Sequence, residues 1–305
     1  MEKEKILQLW EEAGKDQRKF SGKVYGNHLC NHFIEVYEED YILPIVRFWP
    51  KERFSKVNLS FSTRFGGVSK DYLSELNFGF DRGDKPVHVQ TNFKRMCKAL
   101  GISYKNLVLS DQIHDTKVHA ATKEDRCGDS IEKKLQGIDG LVTKEKELCL
   151  ATSYADCVPL FFFDDNQTIV GASHSGWRGT VDKIGAKTVT FIEKKFSIER
   201  KDIHVVIGPS ICQSCYEVSR DVFLAFKEAY SKDEMKEIFV RGREEGKYQL
   251  DLWAANYLQL CACGILEENI HVSGLCTCCH SALFFSHRAS KGKRGNLNGF
   301  IFLQQ

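Results

Sequence analysis

The sequence predicts a mixed α/β fold, on three observations. First, two short apolar runs, residues 158–163 (Val-Pro-Leu-Phe-Phe-Phe) and 168–172 (Thr-Ile-Val-Gly-Ala), flank the turn-forming stretch Asp164-Asp165-Asn166-Gln167. They read as a pair of strands joined by a tight turn. Second, apolar side chains recur at helical spacing over residues 87–100 (Val89, Phe93, Met96, Leu100) and 180–196 (Val181, Ile184, Phe191, Ile192, Phe196). Third, such segments intermix from residue 44 to the end with no internal repeat and no low-complexity linker. One domain over residues 44–305, preceded by an extension of residues 1–43, is the expected organisation.

Taken in order, residues 3–20 form a charge-rich helix candidate with Ile6, Leu7 and Trp10 on one side. Residues 21–43 read as a strand or hairpin packed on the outside of the domain. His28, Cys30 and His32 alternate there as on a half-buried strand. Residues 57–62 alternate as a strand, and Gly66-Gly67 marks a turn that needs a positive φ or a close backbone approach. If residues 110–118 are a strand, Gln112, His114 and Thr116 share one of its faces. Residues 203–207 are a strand ending at Gly208-Pro209. Helices follow over 219–230, with Ser219 as N-cap, and over 252–263, and residues 301–303 close the chain as a strand.

Composition narrows the function classes. The 305 residues carry a formal charge of +2, which gives no support for a nucleic-acid or anionic-membrane partner. No stretch approaches the roughly 20 apolar residues that span a bilayer. The first residues, Met-Glu-Lys-Glu-Lys-Ile-Leu-Gln-Leu-Trp, lack the apolar segment of a secretory leader. A cytoplasmic protein is expected, and its twelve cysteines are then expected as thiols. Cys149 and Cys261 sit in apolar runs as small buried hydrophobes. Cys212-Gln-Ser-Cys215 and Cys276-Thr-Cys-Cys279 each hold a C-x-x-C, but sixty residues separate them, far more than a zinc knuckle uses. They are read as ordinary thiols at the surface or near the site, with a second, structural zinc held by the four as the alternative.

Cys157 precedes the first strand of the predicted hairpin and His174 follows the second, so antiparallel pairing brings both to one sheet edge. A cysteine and a histidine there suit either a metal or a thiolate–imidazole pair. With His114 they make two imidazoles and one thiolate. Three protein ligands with a fourth position open is the pattern of catalytic zinc.

The chain also resembles a known family. The fragments Ser62-Thr63-Arg64-Phe65-Gly66-Gly67-Val68-Ser69, Leu76-Asn77-Phe78-Gly79, Gly83-Asp84, Asp139-Gly140-Leu141-Val142-Thr143, Ala155-Asp156-Cys157, His174-Ser175-Gly176-Trp177-Arg178-Gly179, Gly208-Pro209-Ser210-Ile211, Cys276-Thr277-Cys278-Cys279 and Phe284-Phe285-Ser286-His287-Arg288 occur in that order. They are similar to the laccase-domain family of YfiH and YlmD type, also called purine nucleoside phosphorylase-like or peptidoglycan-editing-factor proteins, over roughly residues 44–304. The resemblance implies two packed sheets flanked by helices, in four α/β/β/α layers. It implies one catalytic zinc per chain on His114, Cys157 and His174. Where members of the family often carry glycine after the first histidine, this chain has Asp115.

The activity the resemblance implies is phosphorolysis of adenosine-, inosine- or guanosine-type nucleosides and methylthioadenosine, with adenosine deamination as a companion. The partners would be a purine nucleoside and phosphate, the protein a monomer or small homo-oligomer. Asp156, beside the thiolate ligand, is the local carboxylate for proton transfer or ligand orientation, or else caps the turn that presents Cys157. Phosphate needs an anion site, for which Arg64 before Gly66-Gly67 and Arg178 before a helix are the candidates. Asn77 and Gln112 can hydrogen-bond a base or ribose or serve turn and strand, and Trp177 can stack on a base or pack in the core.

Two other activities are carried as alternatives. One is amide hydrolysis editing UDP-muramyl peptidoglycan precursors, with Cys157 and His174 as nucleophile and base. The other is copper-dependent polyphenol oxidation. Against the latter, no two of the ten histidines form an H-x-H pair, so copper at the site would be adventitious. The H-x-E and P-C-x-x-C signatures of nucleobase deaminases are also absent, so any deamination would use different machinery.

Overall fold

The structure, a computed structural model, describes residues 3–48 and 54–305. In chain order its strands are β1 (Phe33–Glu38), β2 (Ile42–Arg47), β3 (Val57–Ser62), β4 (Leu107–Asp111), β5 (Val118–Ala120), β6 (Leu135–Gln136), β7 (Gly140–Thr143), β8 (Cys149–Tyr154), β9 (Val158–Asp164), β10 (Val170–Ser175), β11 (Ile203–Ile207), β12 (Glu217–Ser219), β13 (Phe239–Arg241), β14 (Lys247–Leu250), β15 (Ile270–Val272) and β16 (Leu297–Leu303). The helices are α1 (Lys3–Asp16), α2 (Pro86–Leu100), α3 (Trp177–Val181), α4 (Ile184–Phe196), α5 (Arg220–Ala229), α6 (Lys232–Ile238) and α7 (Leu252–Ala262).

A seven-stranded sheet runs in the order β1-β2-β3-β16-β8-β4-β6, a six-stranded sheet in the order β15-β11-β9-β10-β7-β5, and a small sheet in the order β12-β14-β13. Strand alternation explains how the two large sheets stack. In β9, Phe161 and Phe163 face the layer between the sheets while Leu160 and Phe162 face α4 and α7. In β16, Ile301 and Leu303 enter the same inter-sheet layer while Phe300 and Phe302 pack on Val89, Phe93 and Met96 of α2. Both faces of each central strand are therefore apolar, and helices cover the outer ones. The four α/β/β/α layers follow.

Several expectations are met with altered detail. The first helix ends at Asp16 and tightens into a 3₁₀ turn over Gln17–Phe20. The β1–β2 hairpin is hydrogen-bonded to β3, so Phe33–Glu38 is the edge strand of the larger sheet. The helix predicted over 180–196 is broken at Lys183, whose φ of 62° is left-handed. Residues 112–117 leave β4 as an irregular loop, so His114 lies on a turn, with φ of 66°, and not on a strand face. Ser219 precedes α5 as expected, but its hydroxyl bonds the Asp221 carboxylate and no helix N–H.

Candidate active site at the hairpin mouth

The β9–β10 hairpin places the first two residues. Its turn is closed by the Asp164 carboxylate, which accepts from Thr168 N (2.6 Å), Ile169 N (2.8 Å) and Thr168 Oγ1 (2.8 Å). The register pairs His174 with Pro159 and Ser175 with Val158, so Cys157 and His174 emerge side by side at the open end. The thiolate turn is made by Asp156, with φ of 82°. Both its carboxylate oxygens are engaged, by Thr277 Oγ1 and by Arg288 N at 2.7 Å each, and its carbonyl accepts from Ile211 N. These contacts fix the left-handed turn that presents Cys157, the second of the two roles expected of Asp156.

His114 arrives from the loop after β4, and Asp139 holds that loop. The buried Asp139 carboxylate accepts from the backbone N–H groups of Ile113, His114 and Asp115, each at 3.0 Å, and from His174 Nδ1 at 2.9 Å. Because an ionised carboxylate only accepts, His174 carries its proton on Nδ1 and turns Nε2 toward the cluster. Asp139 thus orients one histidine directly and the other through its backbone. Burial alone would raise its pKa, but the His174 hydrogen bond and the loop N–H groups hold it below the usual carboxylate value.

The three donors converge. One nitrogen of each histidine and Cys157 Sγ all lie within 4.8 Å of one another, with Cys157 Sγ 3.9 Å from His114 Nε2. The His114 and His174 rings meet edge to face, centroids 4.7 Å apart. Burial would push the Cys157 thiol up, yet the His174 charge and hydrogen bonds from both histidines bring it down to about 6. The same thiolate and Asp139 lift His174 to about 9 against the opposing effect of burial. Gly176 closes the site from below: a Cβ there would stand 2.8 Å from His114 Cδ2 and 3.2 Å from Cys157 Sγ.

This donor set fits a catalytic zinc. Zinc takes imidazole nitrogen at about 2.0–2.1 Å and thiolate at about 2.3 Å, which spaces its ligand atoms by roughly 3.5 Å. The carboxylate–histidine contact is the usual support of such a ligand. His174 is buried, Cys157 half-buried and His114 exposed, so the cluster is open to solvent on its His114 side.

The other expected site residues divide. Arg64 is half-buried, its guanidinium held by the carbonyls of Ser74 (3.0 and 3.2 Å) and Ser281 (3.0 Å) and lying 4.7 Å over the Phe285 ring. It lines a cleft of about 220 Å³ with Tyr72, Phe285, Lys293 and Arg294. Arg178 is exposed on the short α3 and lies over the Trp177 ring, 4.2 Å from its centroid. Trp177 itself packs against the core. Asn77 is fully buried and binds Gly79, Asp84 and Asn296, while Gln112 pairs both ways with the Ser153 backbone. Neither of these two amides points to a ligand.

Sequence reasoning missed Asp139, Gly176, Arg82 and Arg294. The Nε atoms of Arg82 and Arg294 are buried without a hydrogen-bond partner. Burial lowers the Arg294 pKa, Arg82 lowers it further, and the Cys157 and Asp156 charges oppose this. Arg294 therefore lies close enough to the thiolate to feel its charge and close enough to Arg82 to feel that one, while Arg82 itself pairs with Asp81. Asp139 and Gly176 stand within the fragments that carry the family resemblance, but no role was assigned to either.

The fold and site together define a four-layer α/β/β/α protein with a convergent His–Cys–His cluster able to hold a metal at one sheet edge. Comparison with known proteins assigns it further. Residues 58–304 match the family model described as multi-copper polyphenol oxidoreductase laccase. The chain is 37% identical over 252 residues to the purine nucleoside phosphorylase YlmD of Bacillus subtilis, covering 82% of this chain and 90% of that one. It is 32% identical over 254 residues to a purine nucleoside phosphorylase of Bacteroides thetaiotaomicron, covering 83% and 93%. The crystal structure of YlmD from Geobacillus stearothermophilus superposes with a TM-score of 0.81 at 32% identity, over 90% of this chain and all of that one. That of the hypothetical protein YfiH from Bacillus licheniformis gives 0.80 at 33%, over 89% and 99%. The chain belongs to this laccase-like YfiH/YlmD family.

Proposed function

We propose that the chain is a zinc-dependent purine nucleoside phosphorylase, with adenosine, inosine, guanosine and methylthioadenosine as its substrate class. The observation that carries the reading is Arg294, which lines a basic cleft with Arg64 and Lys293, has its Nε buried without a partner, and lies close enough to Cys157 to feel its charge. A phosphate is the anion whose oxygens suit such paired planar donors. The relatives' names point the same way.

In the reaction a phosphate oxygen attacks C1′ of the ribose, the C1′–N9 bond breaks, and the purine leaves with a proton on nitrogen. Arg82, Arg294 and Arg64 hold the phosphate and offset its charge as it approaches the sugar. The phosphate site thus shifts from the Arg64 and Arg178 pair expected at first to Arg64 with Arg82 and Arg294. His114, Cys157 and His174 would hold zinc, which supplies Lewis acidity toward an oxygen or nitrogen of the nucleoside. Asp139 keeps His174 in its ligating tautomer, and Asp156 fixes the thiolate turn. Adenosine deamination, exchange of the 6-amino group for oxygen from water, is the companion reaction at the same centre. Its cytoplasmic address and purine substrates belong to this proposal.

Polyphenol oxidation by several coppers would need histidine-rich clusters beside a centre of two histidines and one cysteine. Among the described residues the groups that can hold a metal are the His114–Cys157–His174 set and one cluster of four cysteines that has no histidine.

The proposal is tested by Arg294→Ala and Arg82→Ala. Each should raise the KM for phosphate about tenfold or more, as the loss of a charge-assisted contact predicts, with deamination nearly unchanged. Equal losses in both reactions would place these arginines on the nucleoside or in the fold, and not on phosphate.

A further inference from the structure

The two C-x-x-C segments, sixty residues apart in sequence and expected to be ordinary thiols, meet in space. The topology explains how. After β11 the chain turns through Gly208-Pro209, and after the parallel neighbour β15 it turns through Ser273-Gly274. The two exits then run together: Ser210 bridges Cys276, Thr277 N donates to Ser210 O (3.1 Å), and Ser210 N donates to Leu275 O (3.1 Å). One sulfur from each of Cys212, Cys215, Cys276 and Cys279 lies within 4.8 Å of the other three.

We propose that these four cysteines bind a second, structural zinc ion. Four observations carry it. The Sγ separations of 3.9 Å (Cys212–Cys279) and 3.5 Å (Cys215–Cys279) bracket the roughly 3.8 Å edge of a tetrahedron whose Zn–S bonds are about 2.3 Å. No pair is drawn to the roughly 2.0 Å of a disulfide, and all four are free thiols. Cys276 Sγ accepts backbone N–H groups from Cys212 and from Cys279, at 3.3 Å each, the support a thiolate ligand needs and a neutral thiol uses poorly. Cationic groups face the cluster: the adjoining cleft of about 210 Å³ is lined by Lys19 and Lys23 from the N-terminal segment, together with Cys212, Cys276, Cys279 and His280. Four thiolates around a divalent ion leave a net charge of −2, which Lys19 and Lys23, themselves paired with Asp16 and Asp251, offset in part.

The ion would clamp the two strand exits that hold the thiolate turn. Thr277 Oγ1 and Ile211 N both bond Asp156, and Arg288 reaches the carbonyl of Cys215. A closed four-sulfur shell leaves no open position, so this ion stabilises and does not catalyse. The inference does not depend on the activity proposed above.

The test counts metal in full-length protein purified under reducing conditions. Wild type should hold two zinc ions per chain, and Cys157→Ala should keep one. Loading Cys157→Ala with cobalt should give intense thiolate-to-cobalt absorption in the near ultraviolet, of a strength set by several thiolates. Adding Cys215→Ser and Cys279→Ser should abolish both the ion and the band. Should the catalytic centre be metal-free, wild type and Cys157→Ala would both hold one ion and this proposal would stand. It is overturned if Cys157→Ala binds no metal, if the two serines leave its metal count unchanged, or if mass spectrometry finds a disulfide among the four.

Discussion

At the scale of single residues, the centre is built less by its ligands than by the groups that aim them. Asp139 ties the His114 loop to His174 through four hydrogen bonds, so under the proposed function Asp139→Asn should weaken metal binding at the cluster about 10–100-fold. A chelator competition with the wild-type and variant proteins measures this, and unchanged affinity would mean the histidines are aimed by other contacts. Gly176→Ala drives a methyl group against His114 and Cys157, and should lower metal occupancy while leaving the fold intact by circular dichroism. The cluster itself was legible in the sequence: Cys157 and His174 from the hairpin that joins them, His114 with them as the third member of the set. Asp139 was not, because its partners are backbone N–H groups twenty-four and more residues away, and no local spacing encodes them. Arg82 and Arg294 escaped for a similar reason. Lone arginines in polar loops look solvated until the fold buries their Nε atoms.

At the scale of elements, the β9–β10 hairpin is both the best-read segment and the one on which the site depends. Its period, its turn chemistry and its register all agree, so Cys157 and His174 fall at one end as expected. Asp164→Ala removes the acceptor for two turn N–H groups and one hydroxyl, at a cost of about 2–3 kcal/mol in chemical denaturation. A change near zero would show that the turn is set by its backbone alone. The break between α3 and α4 was not legible. A lysine in left-handed conformation has no sequence signature, and what holds it is tertiary: the Lys183 ammonium sits 3.1 Å from the Tyr230 ring centroid. The His114 loop was read as a possible strand because Gln112 and His114 alternate. Gln112 in fact continues the pairing by side chain, bonding Ser153 where a strand backbone would.

At the scale of the molecule, two sheets share one inter-sheet layer, and their tight approach leaves little tolerance at its centre. Gly299 of β16 lies under Phe161 of β9, and a Cβ there would come within 2.2 Å of the fully buried ring. Gly299→Ala should therefore destabilise by about 1–3 kcal/mol, seen as a lower denaturation midpoint with the slope unchanged. Mixed α/β character was readable from periodicity alone, whereas the layer order was not, since nothing local says which apolar face meets which. The cysteine pairs show the same limit most clearly: sixty residues of separation argued against a shared site, and the parallel pairing of β11 with β15 erased that distance. The central claim is that this fold carries a phosphorolytic nucleoside centre, and product analysis tests it most directly. Metal-analysed protein is incubated with adenosine, with and without phosphate, beside Cys157→Ala. Free adenine and ribose-1-phosphate should form only with phosphate and only with Cys157 present, with inosine appearing in either condition. Turnover that ignores phosphate, or that persists undiminished in Cys157→Ala, would contradict the account.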